Sequence, residues 1–175
     1  KLVFGDVGID MIAGPSEVFI IADDSARAYD IACDLIAQAE HGSGFESSVL
    51  LATTDELISE VEVEIDKLLE TYSKDSKIYD VYKKYMYALK VKDVDFAIEV
   101  ANAYAPEHVE IITKNSKEDA AKITRAGAIF VGPYSPEPIG DYVAGPSHVL
   151  PTNSTAKFSS GISAATFMTR ISILD

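Results

Sequence analysis

Residues 105–112 read Ala105-Pro106-Glu107-His108-Val109-Glu110-Ile111-Ile112. A proline closes the helical pattern that precedes it, because it disfavours helix in the residue before it and cannot itself donate a hydrogen bond. The run Val109–Ile112 that follows is short, apolar and β-branched, which predicts a buried strand. An acid and an imidazole therefore stand side by side at a helix-to-strand junction. Imidazole exchanges a proton near neutral pH, and an adjacent carboxylate can be tuned toward the same range. The competing reading is a solvated loop carrying two polar residues.

Working outward, the same alternation recurs. Toward the N-terminus, Ala13-Gly14-Pro15-Ser16-Glu17 is a turn and Val18–Ala22 a strand. A helix from about Ser25 to Glu40 carries the stripe Ala28, Ile31, Ala32, Leu35, Ile36, Ala39, with Gly42 beyond its end. Ser48–Ala52 is a strand. Thr53 and Glu56 predict a capping box, with Leu57, Val61, Ile65 and Leu68 on the inner face of the helix it opens. A helix over Asp75–Tyr85, a strand over Tyr87–Val91 and a helix capped by Asp93 lead to Tyr104. Past the central stretch, Ser116 and Asp119 open a helix to about Arg125, Gly127 ends it, and Ala128–Val131 is a further strand. Such alternation implies parallel strands joined by crossover helices: a three-layer α/β domain with a mainly parallel sheet, taking in residues 1–175 as one unit. Residues 132–161, rich in Pro and Gly, form a long loop of the kind that is usually functional. Residues 162–174 return to an apolar pattern.

The chain has 175 residues, 47% apolar and 25% charged, with a formal charge of −13. That acidity, with no basic patch, argues against nucleic acid as a partner. No stretch has the roughly 20 consecutive apolar residues of a membrane span. The one cysteine, Cys33, reads as a small core residue, and a reducing cytoplasm is the default setting. The chain opens on Lys1 and stops within an apolar run, so a piece of a longer, two-domain chain is expected.

Three further residues have the chemistry of a metal site. Gln38 and His41, three apart at the end of the strongest helix, share one face of its last turn. Asp141, between Gly140 and Tyr142, offers a carboxylate where glycine lets the backbone come close. A Gln, His and Asp set favours a borderline divalent ion such as zinc with positions open to substrate. Taken alone, His41 reads rather as a capping or core residue than as a ligand. His148 stands in the long loop without an assigned role.

These residues fall within longer strings: Ala13–Val18, Gln38–Gly42, Tyr104–Glu110, Ala126–Val131, Tyr134-Ser135-Pro136-Glu137, Gly140–Tyr142 through Leu150-Pro151-Thr152, and Phe158–Gly161. Together they resemble the histidinol dehydrogenase family, collinearly from residue 1 to about 170. The resemblance implies a Rossmann-like sheet forming one aldehyde-dehydrogenase-like half of the longer protein. It also implies a zinc enzyme that oxidises L-histidinol through histidinal to L-histidine with two NAD⁺. By position it makes Gln38, His41 and Asp141 zinc ligands and Glu107 and His108 the acid/base pair. It makes Ser16, Gln38, His41, His108 and Asp141 substrate contacts. It places the nucleotide contacts before Lys1, and a further Glu and zinc-binding His after Asp175, acting across a homodimer interface. Residues 1–175 alone are accordingly expected to be inactive. Two departures stand out: Ser43-Gly44-Phe45-Glu46 replaces a short polar turn, and Asn153 stands where glycine is common. The alternatives are a related NAD-dependent zinc alcohol dehydrogenase for another small polar alcohol, and a catalytically silent domain that binds metal or a partner chain.

Overall fold

The computed structural model describes residues 2–3 and 5–175. Five strands form one sheet in the order β3-β2-β1-β4-β5, every neighbouring pair parallel. They are β1 (Glu17–Ala22), β2 (Ser47–Ala52), β3 (Met86–Lys90), β4 (His108–Ile112) and β5 (Ala128–Val131). Between them run α1 (Ala28–Ala39), α2 (Asp55–Leu69), α3 (Ile78–Lys84), α4 (Val94–Tyr104) and α5 (Ser116–Ala120), and α6 (Pro138–Tyr142) follows β5. The expected three-layer α/β architecture is what forms.

The alternation of side chains along each strand feeds two separate cores. Val18, Ile20, Ala22, Leu50, Ala52 and Ile112 face the stripes of α1 and α2. Phe19, Ile21, Val49, Leu51, Val109 and Ile111 face Ala97, Ile98 and Ala101 of α4. β1 and β4 are buried along their whole length, as strands covered on both faces must be.

Several boundaries differ from the sequence reading, each for a local reason. α1 begins at Ala28 because the Asp23 carboxylate takes the Ser25 backbone N–H in a tight turn first. The cap of α2 is Thr54, whose hydroxyl accepts the Leu57 N–H, while the Thr53 N–H extends the sheet by donating to the Ala22 carbonyl. Leu69 is buried there, and Leu68 packs at its margin. α3 and β3 span Ile78–Lys84 and Met86–Lys90, inside and one residue before their expected limits. α5 stops at Ala120, well before Arg125. Residues 132–161 are not wholly irregular: they contain α6 and a turn of 3₁₀ helix at Thr155–Lys157. In residues 162–174 only Ala164–Phe167 is regular, again 3₁₀, and Phe167, Met168, Ile171, Ile173 and Leu174 are exposed. Cys33 is partly buried on α1.

Ala105, the residue before Pro106, takes φ 62° and ends α4 in the left-handed region, out of the helix that the following proline disfavours. Asn153 has φ 53°, a conformation that Asn tolerates better than most residues and glycine best. Its presence at a glycine-like position is thereby explained.

Gly127 does not terminate a helix. Its N–H donates to the Pro106 carbonyl and the Ala128 N–H to the Glu107 carbonyl, which starts the β4–β5 ladder. A Cβ on Gly127 would sit 2.6 Å from the Glu107 carbonyl oxygen and 3.0 Å from Leu150 Cβ. Gly127→Ala is expected to destabilise the chain by about 1–3 kcal/mol through this backbone clash. Urea unfolding monitored by circular dichroism measures it, and an unchanged midpoint would refute the close approach.

Candidate active site

In a parallel sheet all strand starts lie on one edge, together with the C-terminal ends of the connecting helices. That edge gathers the polar residues here. β1 begins at Glu17, with Ser16 just before it. β4 begins at His108, preceded by Glu107, and Val18 pairs with His108. α1 ends there with Gln38 and His41 in its last turn or just past it.

Glu107 is buried, not solvated. Its Oε2 accepts the Ser16 hydroxyl at 2.6 Å and the Glu17 N–H at 3.2 Å. The Glu107 N–H in turn donates to Glu17 Oε2 at 3.3 Å, and the Tyr104 hydroxyl donates to Glu17 Oε1 at 3.0 Å. Ser16 Oγ also lies 3.4 Å from Gln38 Oε1. His108 is equally buried, its ring edge-on to Phe130 with centroids 5.8 Å apart. His108 Nδ1 lies 3.8 Å from Glu107 Oε2 and 3.6 Å from Glu137 Oε1.

Burial decides the protonation states. It holds His108 down to about 4, with the neighbouring His41 adding to the effect, so the ring is neutral at pH 7. Burial raises Glu107, against the opposing pull of the Ser16 hydroxyl and the Glu17 N–H. It raises Glu17 as well. Glu137 is pushed up to about 7, first by burial and then by the nearby charge of Asp141.

A second cluster adjoins the first. Ligand atoms of His41, Glu137 and Asp141 all lie within 4.8 Å of one another, with His41 Nε2 3.9 Å from Asp141 Oδ2. His41 Nδ1 is 3.2 Å from the Gln38 carbonyl oxygen. A carbonyl only accepts, so Nδ1 carries a proton, and in the neutral ring Nε2 is the atom that would meet a ligand. The partial negative charge at the end of α1 also favours a cation at this place. Asp141 is on a helix, α6, and not in irregular loop. Gly140 brings that helix down on β5: a Cβ at Gly140 would meet Phe130 at 2.8 Å.

Among the described residues, four buried side-chain atoms lack a hydrogen-bond partner: Gln38 Nε2, His108 Nδ1, Glu110 Oε2 and Glu137 Oε1. Those of Gln38, His108 and Glu137 belong to this region, whereas Glu110 faces Asp34 on α1. Orphaned polar atoms are rare in folded interiors and mark places built for something else. A cavity of about 340 Å³ opens beside them, lined by His108, Ser135, Gly140, Asp141 and His148 among others. A second, of about 270 Å³, is lined by His41, Glu137 and Asp141.

The sequence profile described as histidinol dehydrogenase matches residues 1–175. The chain belongs to the histidinol dehydrogenase family. The histidinol dehydrogenase of Heliobacterium mobile is 45% identical over 175 residues, covering 99% of this chain and 41% of that protein. That of Clostridium acetobutylicum is 47% identical over 174 residues, covering 99% and 40%. The crystal structure of histidinol dehydrogenase from Elizabethkingia anophelis superposes with a TM-score of 0.89 at 36% identity, covering 94% of this chain and 38% of that one. The chain thus spans about two fifths of the length of the family members it matches.

Of the residues singled out from sequence and family resemblance, Ser16, Gln38, Glu107 and His108 meet at the strand-start edge, and His41 meets Asp141 beside it. Sequence reasoning gave no role to Glu137, Glu17 or Tyr104. Glu137 was detectable, since it stands four residues before Asp141 behind a Pro-rich start, the spacing of one helix face. The second cluster, one imidazole and two carboxylates with no thiolate, suits a divalent cation of the zinc or manganese kind, while the Gln38 amide oxygen, expected to join it, faces the Ser16 hydroxyl. The departure at 43–46 is structurally closed, because Glu46 accepts the N–H groups of Ser43 and Gly44 at 2.7 and 2.8 Å.

Glu110, two residues along β4 from His108, accepts the Glu137 N–H at 2.5 Å. Burial and the facing Asp34 on α1 raise it well above the ordinary carboxylate range. Asp34 itself rises to about 6 by burial. A carboxyl that holds its proton more tightly folded than unfolded loses stability as pH rises above its unfolded value. The chain is therefore expected to be more stable at pH 5 than at pH 8. In Glu110→Gln, whose amide still accepts from Glu137 and can donate to Asp34, the decline should be shallower. Thermal unfolding across that range tests it, and parallel curves for the two proteins would show that Glu110 ionises without cost.

Proposed function

We propose that residues 1–175 are the substrate- and metal-holding part of an NAD-dependent L-histidinol dehydrogenase. The reaction oxidises L-histidinol through L-histidinal to L-histidine, the closing steps of histidine biosynthesis. The observation that carries this reading is the coincidence, in a chain of this family, of the orphaned buried atoms of Gln38, His108 and Glu137 with the Glu107-His108 pair. Zinc, held by Gln38, His41 and Asp141, would supply a Lewis acid that orients the imidazole and amino nitrogens of the substrate.

The protein's own residues handle the protons. His108, kept neutral by burial, takes the proton from the hydroxyl oxygen as hydride departs to NAD⁺ from the carbon that bears it, turning the alcohol into an aldehyde. Glu107 then takes a proton from water as the water oxygen attacks the aldehyde carbon, and the resulting hydrate, carrying its negative charge on the former aldehyde oxygen, loses a second hydride to a second NAD⁺ to become the acid. Ser16 donates to Glu107 Oε2, which both aims that carboxylate and opposes the rise that burial gives it. Ser16, Gln38, His41, His108 and Asp141 are the substrate contacts on this reading.

The nucleotide contacts belong outside residues 1–175, and a homodimer in the cytoplasm is the expected form of the full-length protein. Among the described residues no helix is long and apolar enough to cross a membrane. Residues 1–175 alone are expected to form no NADH from L-histidinol, and steady NADH production by this piece would show that the nucleotide site is within it.

In a chain of full family length, Glu107→Gln should slow histidinal oxidation by about 10²- to 10⁴-fold, the usual cost of a missing general base, with less effect on histidinol. His108→Asn should slow the first oxidation too. Single-turnover kinetics with each substrate separates them. Wild-type histidinal oxidation by Glu107→Gln would end the role given to this acid.

A further inference from the structure

His108 can serve as a base only if its lone pair faces the reacting hydroxyl, so one ring nitrogen must be protonated and held elsewhere. Nδ1 stands between two carboxylate oxygens, Glu107 Oε2 at 3.8 Å and Glu137 Oε1 at 3.6 Å. Glu107 Oε2 is already occupied by the Ser16 hydroxyl and the Glu17 N–H. Glu137 Oε1 has no partner, and neither has His108 Nδ1. Two buried orphans of complementary type face each other, with side chains 4% and 2% exposed.

Glu137 is also held in place from behind. Its backbone N–H donates to Glu110 Oε1 at 2.5 Å, and Glu110 lies on the same face of β4 as His108, two residues on. α6, which Glu137 precedes, rests on the Phe130 ring that also packs on His108. Base and carboxylate thus share one support.

We infer that Glu137 is a positioning residue: its Oε1 receives the Nδ1–H of His108, which fixes the ring tautomer and leaves the Nε2 lone pair for the substrate. An oxygen of Glu137 accepts whether or not the acid is ionised, so the assignment holds across neutral pH. It deepens the dehydrogenase reading and rests on His108 being that reaction's base. Glu137 also stands within the His41–Asp141 cluster, so the rival role is direct metal ligation.

The test uses zinc-loaded protein of full family length, labelled with ¹⁵N-histidine, with His108 assigned by its loss in His108→Gln. In the wild type the His108 resonances should show Nδ1 protonated and Nε2 bare. In Glu137→Leu the ring should become a tautomer mixture or invert, with zinc content unchanged. The kcat for L-histidinol should fall roughly 10- to 100-fold, as when the partner orienting an imidazole is lost, while KM stays within about twofold. An Nε2-protonated wild type overturns the proposal without need of any variant. So does an unchanged tautomer in Glu137→Leu, and so does loss of zinc from it, which would make Glu137 a ligand. The tautomer is read without turnover. A protein that shows the Nδ1 proton and its loss in Glu137→Leu, yet oxidises no histidinol, would therefore sink the functional reading alone.

Discussion

Two backbone-to-carboxylate hydrogen bonds join the starts of β1 and β4: Glu17 N–H to Glu107, and Glu107 N–H to Glu17. Each strand's first free donor is satisfied by the other strand's acid, so neither carboxylate can leave without exposing a buried N–H. The exchange sets the β1–β4 register, with Val18 opposite His108. It also turns the Glu107 carboxylate inward, where Ser16 completes it. Tyr104, stacked on Phe19 with centroids 4.6 Å apart, closes the other side of Glu17. The polar site is thus a continuation of the sheet's own hydrogen bonding and not an attachment to it.

Burying that many acids is costly, and the arrangement makes sense only with compensation. Glu17, Glu107, Glu110 and Glu137 all lie in low-dielectric surroundings, and burial is the first cause of every upward shift among them. Backbone N–H groups offset part of the cost at Glu107 and Glu110. The α1 terminus adds partial negative charge at the same edge. The sum is a region short of positive charge, beside which His41 presents a bare nitrogen and Asp141 a carboxylate. A divalent cation would relieve that imbalance, and a neutral His108 would remain a base within it.

How much of this could be read from sequence depends on whether the cause was local. The central stretch was legible because proline and a β-branched run act on their own neighbours, and all five strands followed from the same kind of signal. The junction of Glu107 and His108 was therefore placed correctly, though their burial was not evident. The cap of α2 slipped by one residue because two threonines stand together and only the β1 pairing decides which is used. α5 came out short because the N–H groups of Thr124 and Arg125 go to the Asn102 side chain at 2.7 and 3.2 Å and not to carbonyls one turn back. α6 was masked by its own Pro and Gly residues. Spacing could place Glu137 on one face with Asp141, but its N–H bond to Glu110 on β4 is a contact that spacing along the chain does not contain.

The edge on which the site lies is the less usual one. In open parallel sheets, ligands ordinarily collect beyond the carboxyl ends of the strands, at the point where strand order reverses. Here that reversal lies between β1 and β4, and the site does sit at those two strands, but at their amino ends. At the carboxyl ends the gap is bridged: the Asp23 carboxylate accepts the Lys114 N–H at 3.0 Å, and Lys114 Nζ pairs with Asp24 at 2.7 Å. At the amino ends, helix α1 arrives with its carbonyls pointing outward, which disfavours an anionic phosphate and suits a cation. A Gly-rich helix start for a pyrophosphate needs the opposite polarity. The electrostatics of this edge thus suit a cation and proton-transfer groups better than a phosphate.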